Sequence, residues 1–204
     1  MRCECGELLE AVHDFPRVDR ELFDMRQGAS PGPYDSGVWK FKELIYPGLD
    51  EGHVISRPEG NTSLYNHRRL SEYAGLDRLS LKHEGENPTG SFKDRGMTVG
   101  VSEAMRIGAT TVACASTGNT SASLASYAAM AGLDCVVFIP DGMIAYGKLA
   151  QALSYGARVL QIRGDFDDAM RIVQEASCKL GLYLLNSVNP WRIEGQKSIV
   201  FELI

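Results

Sequence analysis

The stretch E-N-P-T-G-S-F-K-D-R-G, residues 86–96, places one lysine, Lys93, between a glycine-containing turn and the start of a helix. Gly90 is typical of a tight turn, Phe92 can be buried against the preceding strand, and Asp94 can cap the helix. A lone lysine in a polar loop is usually an ordinary surface residue, but a solvated loop needs none of these neighbours. A partly desolvated amine loses its proton near neutral pH and can attack a carbonyl group. The stretch therefore predicts a reactive lysine, and with it an enzyme.

Outward from this stretch, short apolar runs alternate with helical patterns along the chain. The apolar runs are residues 79–81, 111–115, 135–139, 157–162 and 182–185, and the helical patterns are residues 94–107, 119–131, 148–155 and 166–180. Each helical pattern is followed by a glycine that can form a left-handed C-terminal cap: Gly108, Gly132, Gly156 and Gly181. Alternating strands and helices predict an α/β fold, with a parallel sheet that is flanked by helices on both faces.

Residues 1–50 lack this regularity and are punctuated by glycine and proline. They predict an extended arm that is stable only when it packs on another part of the protein. Cys3 and Cys5 at its start resemble half of a zinc knuckle, but a structural zinc site needs four ligands and the arm contains no second pair. The sequence therefore predicts no metal site, and zinc binding by these two cysteines is left open.

The composition excludes two classes of partner. The formal net charge is −5, and no stripe of lysine and arginine offers the positive surface that a nucleic-acid backbone requires. No apolar run approaches the length of a membrane span, and the N-terminus lacks the apolar core of a signal peptide. Cysteines without an export signal do not predict disulfides, so Cys114, Cys135 and Cys178 are expected to be buried thiols. A cytoplasmic protein that binds neither nucleic acid nor membrane is predicted.

One polar loop follows a predicted strand at a position suited to an anion. Residues 116–120, S-T-G-N-T, come directly after the run at 111–115 and open a helix. Backbone N–H groups and the helix dipole at such a place favour a carboxylate. An ordinary helix cap is the alternative explanation for the same residues.

A second polar loop, residues 186–192, follows the run at 182–185. Asn189 and Pro190 are explained by the start of a helix, as cap and first residue. Arg192 is not explained in that way, because a cation near a helix N-terminus opposes the dipole unless an anion is bound. Arginine makes bidentate contacts with phosphate oxygens, so this loop predicts a phosphate-binding site.

Four stretches, in the same order, resemble the fold-type II pyridoxal phosphate (PLP) enzymes, and the threonine synthases most of all. They are residues 59–65, E-G-N-T-S-L-Y; residues 86–96; residues 115–123, A-S-T-G-N-T-S-A-S; and residues 186–197, N-S-V-N-P-W-R-I-E-G-Q-K. Ser63 stands where this family usually has proline. Order and spacing together are more specific than any single motif. The resemblance implies a tryptophan synthase β-like fold with a small and a large domain.

The resemblance also implies how the chain is divided. Residues 1–50 are the arm, residues 51–90 the first part of the large domain, residues 91–185 the small α/β domain, and residues 186–204 the start of a truncated large-domain portion. Members of the family bind the cofactor's phosphate with a glycine- and asparagine-rich loop that lies later in the chain than any residue here. The large domain is therefore expected to be incomplete.

By resemblance, PLP forms a Schiff base with Lys93, which is the catalytic residue and moves protons between adjacent substrate carbons. The cofactor also contacts Phe92 and Asn119, and Asn119 hydrogen-bonds the ring hydroxyl oxygen. The substrate is held at its carboxylate and at its phosphate by two groups of residues: Ser116, Thr117 and Thr120, and Asn186, Ser187 and Arg192. Phe166 matches a position near the cofactor face, although an aromatic residue there is more often part of the core.

The resemblance implies conversion of O-phospho-L-homoserine and water to L-threonine and phosphate, a reaction of threonine biosynthesis. O-phosphohomoserine is then the small-molecule partner, and the family also implies a homodimer. Two alternatives stay open. One is another PLP lyase, such as a threonine dehydratase or a cysteine synthase, which needs no pocket for a substrate phosphate. The other is an inactive truncated fragment that serves as a binding module.

Overall fold

The computed structural model describes residues 5–27, 32–142 and 145–204. Within these residues, six strands form two separate sheets: β1 (Leu64–Asn66), β2 (Ser80–Lys82), β3 (Thr111–Ala115), β4 (Asp134–Pro140), β5 (Arg158–Ile162) and β6 (Tyr183–Leu184). Strands β3 to β6 form a parallel sheet in the order β5-β4-β3-β6, and β1 pairs antiparallel with β2. Strand β3 lies inside the parallel sheet, so its carboxyl end is flanked by those of β4 and β6.

The same part of the chain contains nine α-helices: α1 (Arg20–Arg26), α2 (Lys42–Ile45), α3 (Arg68–Ala74), α4 (Lys93–Arg106), α5 (Asn119–Ala131), α6 (Tyr146–Ser154), α7 (Phe166–Leu180), α8 (Pro190–Gln196) and α9 (Ser198–Phe201). Helices α4 to α7 coincide with the four helical patterns in the sequence. The glycines that follow them at positions 108, 132, 156 and 181 all have positive φ. The predicted helix stops are confirmed.

The parallel sheet is covered on both faces. One core joins the sheet to α4, α5 and α6, and its buried side chains include Met97, Val101, Val112, Leu124, Val137 and Ala152. A second core joins the opposite face to α7, with buried side chains Ala113, Ala115, Phe138, Ala169 and Val173. Each large aliphatic side chain buried in this way contributes roughly 1.5–3 kcal/mol. The predicted α/β class, a parallel sheet flanked by helices, is confirmed.

The apolar run at residues 79–81 behaves differently from the other four. It coincides with β2, which pairs with β1 in antiparallel register, Leu64 opposite Lys82, instead of joining the parallel sheet. Both Leu64 and Leu81 are exposed. An apolar run of only three residues does not reveal whether its strand is central or belongs to a separate pair, and the pattern-based prediction was wrong here.

Much of the predicted arm packs into the body of the protein and forms short helices, α1 and α2, which the sequence pattern did not predict. Its buried side chains form one cluster with Val99 of α4: Val38, Trp39, Phe41, Ile45, Tyr46 and Leu49. The indole N–H of Trp39 donates to Thr98 Oγ1 at 2.7 Å. Helix α4 is thus the packing partner that the arm was expected to need.

A buried ion cluster joins α4 to β2 and to the end of α9. The Arg95 side chain is fully buried, with Nε 2.7 Å from Glu84 Oε2 and Nη1 2.7 Å from Glu202 Oε1. The ammonium of Lys82 lies 2.5 Å from Glu202 Oε2. Because each buried charge faces an opposite one with hydrogen bonds, attraction offsets the cost of removing these groups from water.

Acidification is expected to destabilise the protein through this cluster. Burial, the largest single effect, raises the pKa of Glu84 and Glu202, but the hydrogen bonds and positive charge of Arg95 together with further hydrogen bonds outweigh it, so each pKa lies below the usual 4.5. Carboxyls with a lowered pKa stabilise the fold above their unfolded pKa and lose that contribution as the pH falls through their folded pKa. Urea titrations should show a loss of roughly 1–3 kcal/mol in unfolding free energy as the pH falls below about 4.5.

Two variants test the origin of this acid sensitivity. Glu202→Gln should weaken the pH dependence, because the amide cannot ionise, and should lower the stability at neutral pH. Glu175→Gln is the matched control, since Glu175 pairs with Arg171 and Lys179 on an exposed face of α7. Equal pH slopes for wild type and Glu202→Gln would contradict the prediction.

Candidate active site

The turn before α4 is held by a buried carboxylate. Asp94 accepts hydrogen bonds from Thr89 N at 2.7 Å, from Thr89 Oγ1 at 2.6 Å and from Ser123 Oγ of α5 at 2.5 Å. Asp94 was expected to cap α4, but Phe92 occupies the cap position and the Asp94 carboxylate reaches back to the turn. The prediction was wrong because Asp94 already lies within the first helical turn. Its actual contacts fix the turn and α5 around Lys93.

Lys93 is the first residue of α4 and is partly buried. Its Nζ lies 3.9 Å from the centroid of the half-buried Phe92 ring. The pKa of Lys93 is lowered, first by burial of the ammonium and second by the positive charge of Arg192. Both effects favour the neutral amine, which is the form that acts as a nucleophile or base.

A second lysine, which the sequence analysis did not single out, reaches the same turn. Lys148 of α6 donates from Nζ to the carbonyl oxygen of Thr89 at 2.9 Å. Its Nζ also lies 3.7 Å from the position that a Cβ on Gly90 would occupy. The contact joins residues far apart in the chain, so no local sequence pattern predicts it.

Polar side chains line the N-terminus of α5 and the loop before it. Ser116 follows β3, and its Oγ accepts from Gly118 N at 3.2 Å. Thr117, Asn119 and Thr120 have side chains without a hydrogen-bond partner among the residues that the structure describes. The polar groups predicted at the carboxyl end of β3 are thus available to a ligand.

The loop after β6 is tied to the end of β3. The carboxamide of Asn186 donates to Ala115 O and accepts from Ala115 N, both at 2.9 Å. Asn189 caps α8 by accepting from Trp191 N at 3.1 Å, so its predicted capping role is confirmed. Ser187 is exposed. Both amide groups of Asn186 therefore serve the backbone, and phosphate contacts of Asn186 and Ser187 stay predictions.

Arg192 is a buried cation that no carboxylate of the described residues neutralises. Arg192 is only 4% exposed, yet no carboxylate of the described residues lies within ion-pair distance of its guanidinium. The Nε atom has no hydrogen-bond partner there, and Nη1 reaches only Leu185 O at 3.5 Å. Burial lowers the pKa of Arg192. An uncompensated buried charge is costly, and a bound anion would remove that cost.

Glycines bring the two helices of the site into close contact. A Cβ on Gly195 of α8 would lie 1.8 Å from Arg95 O of α4, and one on Gly96 would lie 2.9 Å from Arg192 O. A Cβ on Gly100, one turn further along α4, would lie 2.5 Å from Leu185 Cδ2. The sequence analysis missed these residues, although two glycines four apart inside a predicted helix are a recognisable sign of close packing.

The remaining predictions concern residues at the edge of the site or outside it. Phe166 begins α7 and is about half exposed, and its place near the cofactor stays a prediction. Cys3 lies outside the described residues, and Cys5 is exposed. Cys114 and Cys135 are buried as expected, but Cys178 is exposed because it lies on the outer face of α7. None of the helices in the described ranges is long and apolar enough to span a membrane.

The chain belongs to the family of pyridoxal-phosphate dependent enzymes, because the model of that family matches residues 55–204. It has the fold-type II architecture. The processed form of threonine deaminase isoform 2 from Solanum lycopersicum is 26% identical, with a TM-score of 0.62 over 70% of this chain and 39% of the other.

Its relatives include threonine synthases. The chain is 48% identical to the threonine synthase of Methanocaldococcus jannaschii over 201 residues. These aligned residues cover 98% of this chain and 48% of the relative. It is 50% identical over 200 residues to the threonine synthase of Methanosarcina acetivorans, covering 98% of this chain and 47% of the relative. The chain thus spans about half the length of the curated relatives it matches.

The cofactor of this family is PLP, and the residues of the site fit it. Lys93 offers an amine whose pKa is lowered, at the end of a rigidly held turn. Asn119 offers a carboxamide that no described residue hydrogen-bonds, near the carboxyl end of β3, where ligands of parallel sheets bind. Lys93, Phe92 and Asn119 are the residues of this chain that would hold the cofactor ring.

Proposed function

We propose that this chain carries the lysine, the carboxylate site and the phosphate pocket of a threonine synthase. The reaction is the conversion of O-phospho-L-homoserine and water to L-threonine and phosphate. The identity to threonine synthases over nearly the whole chain supports this proposal. The single observation that carries the choice of substrate is the buried Arg192, whose guanidinium has no carboxylate partner within the described residues.

Arg192 suits a substrate phosphate for electrostatic reasons. A dianion beside the guanidinium would neutralise a charge that burial has destabilised, and two N–H groups can face two phosphate oxygens. The exposed hydroxyl of Ser187 can add a neutral donor. The positive charge of Arg192 also lowers the pKa of Lys93, so Arg192 acts electrostatically on the reacting amine. This effect supports a position of the leaving phosphate near the base.

The carboxylate of the substrate is assigned to the α5 N-terminus. Ser116, Thr117 and Thr120 lie at the positive end of the α5 dipole, which favours an anion. With the carboxylate at α5 and the phosphate at α8, the substrate is held at both ends. Its central carbons then lie beside Lys93, which is the orientation that proton transfer requires.

Lys93 is assigned the proton transfers. PLP, when bound, would supply an electron sink for the charge that develops at the α-carbon once the substrate's amino group has displaced Lys93. The freed neutral amine of Lys93 takes the α-proton, passes it on and then takes a β-proton, because its tether keeps it within reach of adjacent carbons. One of these protons goes to the γ-carbon, which becomes the methyl group, and the other returns to the α-carbon. Arg192 stabilises the phosphate that departs from the γ-carbon, and water adds at the β-carbon to give threonine.

The wider organisation follows the same family pattern. Residues 51–90 and 186–204 would belong to one large domain, and residues 91–185 to the small domain that carries Lys93. A homodimer and a cytoplasmic location are proposed from the resemblance. Nucleic-acid binding is not proposed, since the net charge of −5 opposes it.

Replacing Arg192 tests the substrate assignment. Arg192→Gln should lower kcat/KM for O-phospho-L-homoserine by about 100-fold, because a charge-assisted pair with the phosphate is lost. Inorganic phosphate should raise the melting temperature of the wild-type protein and not that of the variant. Arg171→Gln, on the exposed face of α7, is the control and should match the wild type.

The same variant distinguishes the proposed reaction from that of a threonine dehydratase. A threonine dehydratase has no phosphate to bind, so Arg192→Gln should leave deamination of unphosphorylated threonine unchanged. Turnover of threonine that is insensitive to Arg192→Gln, together with no thermal response to phosphate, would refute the proposed function in favour of that alternative.

A further inference from the structure

The first described segment of the arm, residues 5–19, precedes α1 and is largely exposed. Leu8, Leu9, Val12 and Phe15 all present much of their surface to solvent. His13 is the exception, because its side chain is only 7% exposed. His13 thus connects this segment to the rest of the protein.

The anchor of His13 is helix α8, which carries Arg192. His13 Nε2 lies 2.8 Å from Glu194 Oε2, and the imidazole centroid lies 5.8 Å from the ring centroid of Trp191. The Tyr46 ring also flanks the imidazole, at 5.9 Å. Trp191 precedes Arg192 in the sequence and Glu194 follows it by two residues. The arm therefore contacts α8 both before and after Arg192 along the helix.

Helix α8 needs such external support. It has seven residues, and a helix of this length is not stable without tertiary contacts. Its inner face packs against α4 through Gly195. Its outer face is held by Trp191, whose ring stacks on Tyr46 at 4.1 Å, and Tyr46 donates to Glu103 of α4 at 2.7 Å. His13 completes this outer support.

We propose that His13 is a positioning residue for Arg192, and that it acts through Glu194 and Trp191. The hydrogen bond to Glu194 and the contact with Trp191 set the orientation of α8, and α8 sets where the guanidinium lies. This inference rests on the proposed function, since Arg192 must bind the substrate phosphate for its orientation to matter. His13 itself contacts neither substrate nor cofactor.

The charges around His13 make the role testable without unfolding the protein. Glu194 Oε2 also faces Lys197 Nζ at 2.5 Å, and Lys197 lies 5.4 Å from the Phe15 ring. Removal of His13 therefore leaves Glu194 with a cationic partner. The variant should fold, and the change should be confined to the outer support of α8.

The test uses the PLP-loaded protein with His13→Ala. We expect KM for O-phospho-L-homoserine and the inhibition constant of inorganic phosphate to rise about tenfold, less than the roughly 100-fold cost of a 1 Å misplacement. We expect the absorption band of bound PLP to stay unchanged, because Lys93 is positioned by α4 and the turn before it and not by α8. Val12→Ala is the matched control, since Val12 is 84% exposed on the same segment.

Two further variants make every outcome decisive. His13→Gln keeps an N–H donor toward Glu194 and should recover part of the loss, which also covers the case in which His13→Ala fails to fold. An inhibition constant of phosphate in both His13 variants equal to that of Val12→Ala would overturn the positioning role. If Arg192→Gln also leaves that constant unchanged, the phosphate pocket and the proposed function fail as well. If Arg192→Gln raises it and the His13 variants do not, only the role of His13 fails.

Discussion

Lys93→Ala is expected to lower kcat by about 10⁴-fold or more, because in the proposed function one amine both attaches the cofactor and moves the protons. Release of phosphate from O-phospho-L-homoserine measures the loss. Mass spectrometry after borohydride reduction supplies an independent readout, since the wild type should gain one pyridoxyl group at position 93 and the variant none.

Two lysines provide the controls for this result. Lys179→Ala should behave as the wild type, because Lys179 is exposed and its ion-pair partner within the described ranges is Glu175. Lys148 is the informative competitor, since its Nζ reaches the same turn through Thr89 O. A pyridoxyl group found on Lys148 in the wild-type protein would refute the assignment of Lys93.

Gly195→Ala is expected to destabilise the protein by about 3 kcal/mol or more. The new Cβ would lie 1.8 Å from the carbonyl oxygen of Arg95 and 2.7 Å from its carbonyl carbon. Both atoms belong to the backbone of α4 and cannot rotate away, so α8 must move outward. Urea unfolding measures the loss of stability. Binding of inorganic phosphate should weaken in parallel, because Arg192 moves with α8.

Gly147→Ala is the matched control for this substitution. Gly147 also lies within a helix, α6, but a Cβ there would meet no atom within 4 Å. Alanine should therefore be neutral or stabilise the protein by about 0.5 kcal/mol, through the lower entropy of the unfolded chain. Equal urea midpoints for Gly195→Ala and Gly147→Ala would show that the two helices are not in close contact.

Regular alternation made most of the fold predictable. The helices at α4 to α7 and the strands of the parallel sheet follow from periodicity and glycine stops, which are properties of neighbouring residues. The β1 and β2 pair was not predictable in this way, since its partner choice depends on residues far apart in the chain. The same holds for the arm, whose burial depends on α4.

The candidate site was only partly predictable. Motif order singled out Lys93, Asn119 and Arg192, which lie on three different helices. The sequence suggested a helix cap for Asp94, whereas the structure shows a clamp between the turn and α5. The contacts of Lys148 and His13 could not be found from the motifs, because they join residues far apart in the chain.

The chain's local pattern was sufficient to establish the α/β class and to place a lysine at the start of a helix. It could not show that Arg192 is buried without a carboxylate partner in the described part of the chain, or that this charge lowers the pKa of Lys93. Burial and charge pairing depend on which side chains meet after α8 packs against α4. Those contacts are set by long-range packing, and no window of neighbouring residues contains them.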